Sequence, residues 1–146
     1  MKRALLKASL AFDQNEVPVG ALIVQNGQII SESHNLCHAL KDPTAHAEAL
    51  AIRSALLTLD QPFLENCDLY VTLEPCVYCA GAIALTRIKR VYFGAYDPKG
   101  GGVEHGARVF EHSLHKPQTV GGICETKSTG LLKAFFESRR FKKPIV

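Results

Sequence analysis

Residues 69–95, LYVTLEPCVYCAGAIALTRIKRVYFGA, decide the fold of this chain. Apolar side chains alternate with others over residues 69–73, which is typical of a β-strand, and Pro75 ends that strand. Residues 76–86 are predicted to form a helix, and residues 90–95 a second strand. Because a helix between two nearby strands implies a right-handed parallel crossover, the core is predicted to be mixed α/β.

The flanking segments add further helices and strands. Asn26-Gly27 is a two-residue turn that favours a hairpin, and Thr44 is a predicted helix cap. The predicted elements are a helix over residues 2–13, strands over 20–25 and 28–32, a helix from 44 to about 59, an irregular strand over 119–125, and a C-terminal helix anchored by Leu131, Leu132, Phe135 and Phe136. No repeat or linker divides the chain, so residues 1–146 are predicted to form one domain.

The composition is that of an ordinary globular domain. The chain has 146 residues, of which 47% are hydrophobic and 21% charged, and its mean hydropathy is only +0.03. No apolar run approaches the roughly 20 residues that span a bilayer, which excludes a membrane-embedded protein. Lys7 and Asp13 interrupt the apolar start that a signal peptide needs. We therefore expect a cytoplasmic protein.

The net charge of +3 is too mild for a protein whose whole surface binds nucleic acid. Two local basic groups remain, one of which is Arg87, Lys89 and Arg90. The other is the C-terminal cluster, which we define as Arg139, Arg140, Lys142 and Lys143. Taken alone, each group is better explained as a solvated end of a helix or strand.

The most specific motif joins His46 and Glu48 to Cys76 and Cys79. One imidazole and two thiolates three residues apart provide three ligands of a tetrahedral zinc site and leave the fourth position for water, which is the form of a catalytic centre. The spacing places Cys76 just before its helix and Cys79 in the first turn, where the helix dipole favours thiolates. His46 is expected in the opening turn of its own helix.

Glu48 is the candidate proton carrier. Two thiolates cancel most of the charge of a zinc ion, so zinc alone should acidify its water less than it does with three neutral histidines. Glu48 lies about 200° from His46 around an ideal helix, which makes it a poor ligand but leaves it able to lean toward the bound water. A carboxylate there can act as general acid and base.

Other chemistry fits parts of this motif. A strand, Cys-x-x-Cys and a helix also form thioredoxin-like redox sites. A structural zinc would need a fourth ligand from the remaining cysteines, which otherwise are expected to be small buried apolar residues; they are Cys37, Cys67 and Cys124. The occurrence of all four residues in order favours catalysis.

Together, residues 46–48 (HAE) and 75–79 (PCVYC) resemble the His-x-Glu and Pro-Cys-x-x-Cys signature of the cytidine deaminase-like zinc enzymes. Within that superfamily the chain resembles the bacterial tRNA-specific adenosine deaminases, through residues 16–21 (EVPVGA), 42–48 (DPTAHAE) and 69–76 (LYVTLEPC). The agreement runs from the first helix to about Gly102. The resemblance implies a three-layer α/β/α fold with a five-stranded mixed sheet, and a homodimer in which the partner borders each pocket.

The same resemblance implies roles for individual residues. It implies one zinc per chain on His46, Cys76 and Cys79, with Glu48 carrying protons. Asn35 is expected to hydrogen-bond the substrate, Val19 and Leu73 to wall the pocket around the flipped base, and Asp97 to lie near the RNA backbone. On spacing alone, these four would be a turn residue, two core residues and a loop aspartate. The chain departs from the usual family pattern at residues 100–105 and at Leu114-His115.

The leading hypothesis is hydrolytic deamination of adenosine to inosine at the wobble position of a tRNA, with the anticodon stem-loop as partner. Zinc would activate the water that attacks C6 of the extruded adenine, and Glu48 would protonate the ring nitrogen and the leaving amine. The C-terminal cluster favours RNA over the alternative, a zinc deaminase of a free base or nucleoside such as cytosine, cytidine or guanine. A third possibility, a non-catalytic zinc or redox module that binds RNA, does not require Glu48.

Overall fold

The turn at Asn26 and Gly27 sets the first edge of the sheet. Both residues have left-handed backbone, with φ of 50° and 75°, as the sequence predicted for a two-residue hairpin. In the computed structural model, which describes residues 1–140, the helices are α1 (Lys2–Asp13), α2 (Ala47–Leu59), α3 (Val77–Leu85), α4 (Val109–His112) and α5 (Glu125–Arg140). The strands are β1 (Gly20–Gln25), β2 (Gln28–His34), β3 (Cys67–Leu73), β4 (Arg90–Ala95) and β5 (Gln118–Val120).

The five strands form one mixed sheet in the order β2-β1-β3-β4-β5. β1 pairs antiparallel with β2 and β3, whereas β3, β4 and β5 run parallel. The parallel pair flanking α3 confirms the crossover predicted from residues 69–95. Helices α2 and α3 pack on one face of the sheet, and α1 and α5 on the other. The predicted three-layer α/β/α architecture is therefore confirmed.

The core lies mainly between the sheet and the layer of α2 and α3. Alternate residues of the central strands, such as Ile23, Leu69 and Val71, are fully buried there against Ala51 and Ile83. On the opposite face Gly20 lets α1 approach closely, because a Cβ at this position would lie 2.7 Å from the backbone nitrogen of Ala8. Small residues on α1 face the sheet there; they are Ala4, Ala8 and Ala11.

Two predictions near the C-terminus need correction. The last strand ends at Val120 rather than at residue 125, because left-handed backbone at Gly122 and Cys124 ends the extended conformation. In α5, Phe135 is buried, but Phe136 is 50% exposed. The buried stripe repeats every three or four residues through Ser128, and Phe136 lies about 100° from Phe135 around the helix. Phe136 therefore does not anchor α5, contrary to the prediction.

The parallel strands β3 and β4 end level with each other, with Leu73 opposite Ala95. β1 begins and β2 ends at the same edge, where Gly20 pairs with His34. The loops that follow the carboxyl ends of parallel strands are the usual place for a binding site in α/β proteins. No helix within residues 1–140 is both long enough and apolar enough to cross a bilayer.

Candidate metal centre and active site

His46, Cys76 and Cys79 converge at this edge of the sheet. Their ligand atoms all lie within 4.8 Å of one another, with His46 Nδ1 at 3.6 Å from Cys76 Sγ and 3.4 Å from Cys79 Sγ. Zinc bonds of about 2.0 Å to nitrogen and 2.3 Å to sulfur at tetrahedral angles place the two ligand atoms about 3.6 Å apart. The two nitrogen–sulfur distances therefore fit a tetrahedral zinc site.

Two helix N-termini position these ligands. His46 and Cys76 are the residues that precede the first turns of α2 and α3, and Cys79 lies in the first turn of α3. The prediction that Thr44 caps α2 is wrong, because Thr44 instead bonds the carboxylate of Asp42 through its amide and its hydroxyl, at 2.8 and 2.7 Å. The helix begins at Ala47, so His46 stands at the cap position and its ring is free to turn toward the thiols.

The two thiols differ in acidity in the metal-free chain. A hydrogen bond from Cys79, opposed by burial and aided by His46, lowers the pKa of Cys76 to about 4. The same bond to Cys76, together with burial, raises the pKa of Cys79. The hydrogen bond with Cys76 raises the pKa of His46 despite its partial burial. Cys76 is thus already a thiolate at neutral pH, which is the form that binds metal.

Glu48 lies in the first turn of α2 and is 4% exposed. Burial raises the pKa of its carboxyl group to about 7, against the hydrogen bonds from its own backbone and from the Cys79 thiol. A carboxyl group whose pKa lies near neutrality can both accept and return a proton. The role of Glu48 as proton carrier to a bound water stays a prediction.

The other cysteines do not supply a fourth ligand. Among residues 1–140 the candidate metal group contains only His46, Cys76 and Cys79. Cys67 is buried as predicted, but Cys37 is only half-buried and Cys124 is exposed. The expectation that all three are buried apolar residues is therefore wrong for the last two. The left-handed backbone at Cys124 places it at the exposed start of α5.

Asn35, Val19 and Leu73 lie on three different segments that meet at the edge of the sheet where the candidate metal ligands lie. Asn35 follows β2, Val19 precedes β1, and Leu73 ends β3. The backbone amide of Asn35 donates to Val19 at 3.2 Å, and the Asn35 side-chain oxygen accepts the amide of Ala47 at 2.8 Å. Asn35 therefore caps α2 next to His46. The structure brings these three candidates to the same edge as the zinc ligands.

Asp97 begins the loop after β4. One of its carboxylate oxygens accepts the amides of Lys99 at 3.2 Å and Gly100 at 2.9 Å. This is the turn that a loop aspartate before proline forms by itself. The side chain is half-buried, and the loop that it begins passes beside Cys76, since Gly101 and Cys76 form an isolated β-bridge.

The basic residues fall into two classes. In the first group, Arg90 bonds Asp68 through two nitrogens at 2.8 and 2.9 Å, and Arg87 pairs with Glu65 at 3.0 Å. The charges of these two arginines are therefore already paired with neighbouring carboxylates. In the C-terminal cluster, the Arg139 guanidinium packs 4.3 Å from the centre of the Phe135 ring and donates to the backbone oxygen of Asn15. Arg140 is exposed, and Lys142 and Lys143 lie outside the described residues.

Two buried carboxylates near the site were missed in the sequence. Glu16 accepts the amides of His38 at 3.1 Å and Ala39 at 2.8 Å, which fixes the loop between β2 and α2. Glu74 accepts amides from the loop after β4. The position of Glu74 in the sequence could have revealed its role. Glu74 stands between a buried strand and Pro75-Cys76, where a charged side chain is expected to be buried and to need hydrogen-bond partners.

The chain is similar to proteins of known activity. Residues 1–95 match the family described as the cytidine and deoxycytidylate deaminase zinc-binding region. The tRNA-specific adenosine deaminase of Agrobacterium fabrum is 46% identical over 142 residues, which cover 96% of this chain and 93% of that protein. The tRNA-specific adenosine deaminase of Bacillus subtilis is 45% identical over 145 residues, which cover 98% and 90%.

Solved structures agree with this similarity. A structure from a study of A-to-I editing by tRNA:A34 deaminases at the wobble position of transfer RNA has a TM-score of 0.89 and 47% identity, covering 90% of this chain and 97% of that one. A guanine deaminase from Bacillus subtilis has a TM-score of 0.64 and 33% identity, covering 99% and 96%. The region matched as zinc-binding contains His46, Glu48, Cys76 and Cys79.

Proposed function

The chain belongs to the cytidine and deoxycytidylate deaminase family, and from this membership we propose that it hydrolyses adenosine to inosine at the wobble position of a tRNA anticodon. The observation that carries the proposal is the cluster of His46, Cys76 and Cys79 beside a buried Glu48. Similarity over nearly the whole length to tRNA-specific adenosine deaminases supports adenosine in tRNA as the substrate.

His46, Cys76 and Cys79 hold the zinc ion in this proposal. Zinc bound by three protein ligands acts as a Lewis acid that lowers the pKa of a water nucleophile. The two helix N-termini stabilise the thiolates, which keeps the ligands in their metal-binding form at neutral pH. The 4% exposure of Glu48 means that little bulk water reaches its carboxylate from outside.

Glu48 moves the protons of the reaction. Its carboxylate takes a proton from the water that adds to C6 of the adenine and delivers it to the adjacent ring nitrogen. A second proton passes through Glu48 to the exocyclic amine, which leaves as ammonia while the C6 oxygen becomes that of inosine. A pKa raised to about 7 by burial suits a group that accepts and donates in one cycle.

The residues around the metal centre bind the extruded base. The Asn35 side-chain oxygen is occupied by Ala47, which leaves the amide nitrogen to donate to the substrate. Leu73, which is half-buried, offers apolar surface at this edge, Val19 lies at the same edge but is only 4% exposed, and Asp97 lies on the loop beside Cys76. A base between apolar walls and one fixed amide is held in a single orientation.

The C-terminal cluster neutralises phosphates of the anticodon stem-loop. The contact from Arg139 to Asn15 holds the end of α5 beside the segment that leads to Val19. Arg140 adds an exposed cation there. Lys142 and Lys143, which follow after Phe141, extend the same basic segment of the sequence.

The protein acts as a homodimer in which α3 faces the partner. Val77 and Leu85 of this helix are 51% and 77% exposed, and Leu114 beside it is fully exposed. Leu85 and Leu114, with Phe63 and Gly81, border a groove of about 510 Å³. An exposed apolar patch of this kind is typical of an interface. Because α3 also carries Cys79, a partner seated there would border the active site.

Incubation with a mixture of tRNAs tests the proposed reaction. The deaminated position is read as guanosine after reverse transcription, so sequencing should show adenosine changed to guanosine at the wobble position only. Guanine and cytidine are offered in parallel, with ammonia release as the measurement. Ammonia from a free base with unchanged tRNA would assign the site to a small substrate.

A further inference from the structure

Glu74 is a fully buried carboxylate that the reaction does not use. Its side chain has no exposed surface, and it lies between the end of β3 and Cys76. An ionised carboxylate in such a place is costly unless several donors surround it. Its hydrogen bonds therefore show what it is for.

All the donors to Glu74 come from one loop, residues 97–105. The Oε2 atom accepts the amide of Asp97 at 2.9 Å and Nδ1 of the His105 ring at 2.9 Å. The Oε1 atom accepts the amides of Val103 at 3.3 Å, Glu104 at 2.8 Å and His105 at 3.0 Å. One buried anion thus joins the two ends of the loop.

The middle of the loop packs against the zinc-binding segment. The amide of Gly102 donates to Pro75 at 2.8 Å. A Cβ at Gly101 would lie 2.6 Å from the Glu74 carboxyl carbon, and a Cβ at Gly102 would lie 2.7 Å from the amide nitrogen of Val77. The glycines at these positions are therefore explained by close packing. They also leave residues 100–102 without side chains that could hold the shape of this part of the loop.

We propose that Glu74 is a positioning residue for the tRNA substrate, because it fixes residues 97–105 in the shape that presents Asp97 to the RNA. The inference rests on the proposed function. A glycine-rich loop that is ordered before binding loses little conformational entropy when RNA binds. The binding free energy is therefore more favourable than it would be for a loop that must first become ordered. Removal of the hydrogen bonds to Glu74 should weaken substrate binding and leave the chemical step at Glu48 nearly intact.

Three variants separate this role from a general one. Glu74→Gln keeps the size and one acceptor oxygen for residues 103–105, but its amide nitrogen cannot accept from Asp97. His105→Ala removes only the ring contact and keeps all four backbone bonds to Glu74, so it is the milder change and carries the test if Glu74→Gln does not fold. Glu104→Gln is the matched control, because Glu104 is exposed and, within residues 1–140, its carboxylate accepts a hydrogen bond only from the Thr119 hydroxyl, at 3.5 Å.

The measurements are zinc content, kcat and KM for an anticodon stem-loop, stem-loop affinity, and hydrogen exchange at the backbone amides. In Glu74→Gln the amide of Asp97 should exchange at least about 10-fold faster, and KM and the dissociation constant should rise about 10-fold, as expected for the loss of a charge-assisted hydrogen bond. The value of kcat should stay within about 3-fold and zinc should remain. His105→Ala should shift the same quantities by less, and Glu104→Gln should match wild type.

Several outcomes would overturn the proposal. One such outcome is that Glu74→Gln has the KM of wild type and the same hydrogen exchange at the Asp97 amide. His105→Ala replaces it in this comparison if Glu74→Gln does not fold. Unchanged values would show that the bonds to Glu74 are not what orders residues 97–105. Loss of zinc and kcat at unchanged KM would assign Glu74 to the metal centre instead. If the wild-type protein itself does not deaminate the stem-loop, the proposed function fails, and stem-loop affinity and Asp97 exchange still decide whether Glu74 orders an RNA-binding loop.

Discussion

The side-chain oxygen of Asn35 accepts the backbone amide of Ala47 at 2.8 Å, so a residue that we propose contacts the substrate also caps the helix that carries Glu48. Most helix caps stand directly before their own helix, whereas Asn35 lies twelve residues earlier in the chain. One side chain therefore serves stability with its oxygen and, in our proposal, the substrate with its nitrogen. The two roles can be separated by mutation.

Asn35→Asp should keep the cap and lose the substrate contact. The aspartate oxygen still accepts from Ala47, so the free energy of unfolding should change by less than about 0.5 kcal/mol, whereas Asn35→Ala should lose about 1 kcal/mol. Both variants should lose at least about 10-fold in kcat/KM, because neither retains an N–H donor. Chemical denaturation and stem-loop kinetics measure the two effects. Normal activity of Asn35→Asp would remove the substrate role.

Zinc content tests the three ligands. The purified protein should contain about one zinc per chain, because three protein ligands and water complete one tetrahedron. Cys76→Ser and Cys79→Ser should each lose most of the zinc and the activity. Cys124→Ser, which changes an exposed thiol outside the cluster, should keep both. Elemental analysis checks this, and active protein without a transition metal would contradict the site.

The Glu32 carboxylate should make stability depend on pH in the acid range. Its hydrogen bond to Arg3, with Lys7 adding to the effect, lowers the pKa of Glu32 from 4.5 to about 2. A lowered carboxyl pKa contributes stability that is complete above pH 4.5 and is lost as the pH falls through 2. Glu32→Gln should therefore be less stable than wild type by at most about 1 kcal/mol at pH 7.

That difference should shrink below about pH 4 and be nearly gone at pH 2, as urea titrations at several pH values would show. Glu65→Gln is the comparison, because Glu65 and its partner Arg87 are 59% and 49% exposed. We expect a smaller loss there. A deficit of Glu32→Gln that stays constant down to pH 2 would show that the ion pair is not its source.

The C-terminal cluster should affect the salt dependence of RNA binding. Replacing Arg139, Arg140, Lys142 and Lys143 by Ala should weaken stem-loop affinity and flatten its logarithmic salt dependence by roughly 0.7 to 0.9 for each phosphate that is no longer neutralised. Arg140→Ala alone should also weaken affinity and flatten the salt dependence, while the free energy of unfolding stays unchanged. Arg139→Ala should in addition loosen α5 from Asn15. Superimposable salt curves for wild type and the quadruple variant would show that the C-terminal cluster is a solvated helix end that does not bind RNA.

Much of the site could be predicted because its residues lie close together in sequence. His46 with Glu48, and Cys76 with Cys79, sit at fixed offsets at two helix starts, so local geometry determines where they point. The alternation over residues 69–73 and the turn at Asn26-Gly27 determined the strands in the same way. The prediction that Thr44 caps α2 was wrong because Asn35 caps this helix instead. That contact joins residues twelve positions apart, so no local sequence pattern predicts it.

The rest of the site depends on contacts across long stretches of chain. Glu74 bonds residues 23 to 31 positions away, and nothing in its neighbours reveals those donors. The exposure of Phe136 likewise depends on which face of α5 meets the sheet, and two adjacent aromatic residues leave that choice open. Hydrophobic periodicity predicts that a helix has an apolar face, but it does not say which of two adjacent apolar residues at the border of that face is buried.

In the proposed reaction, Glu48 performs proton transfer at a zinc centre that deaminates adenosine in tRNA. The most direct test is single-turnover inosine formation on a stem-loop with adenosine at the wobble position, for wild type and Glu48→Gln. The variant should keep zinc and stem-loop affinity while the rate falls at least ~100-fold, the scale for loss of a general acid and base. A rate within a few-fold of wild type would contradict the role of Glu48, and no inosine from either protein would contradict the proposed reaction.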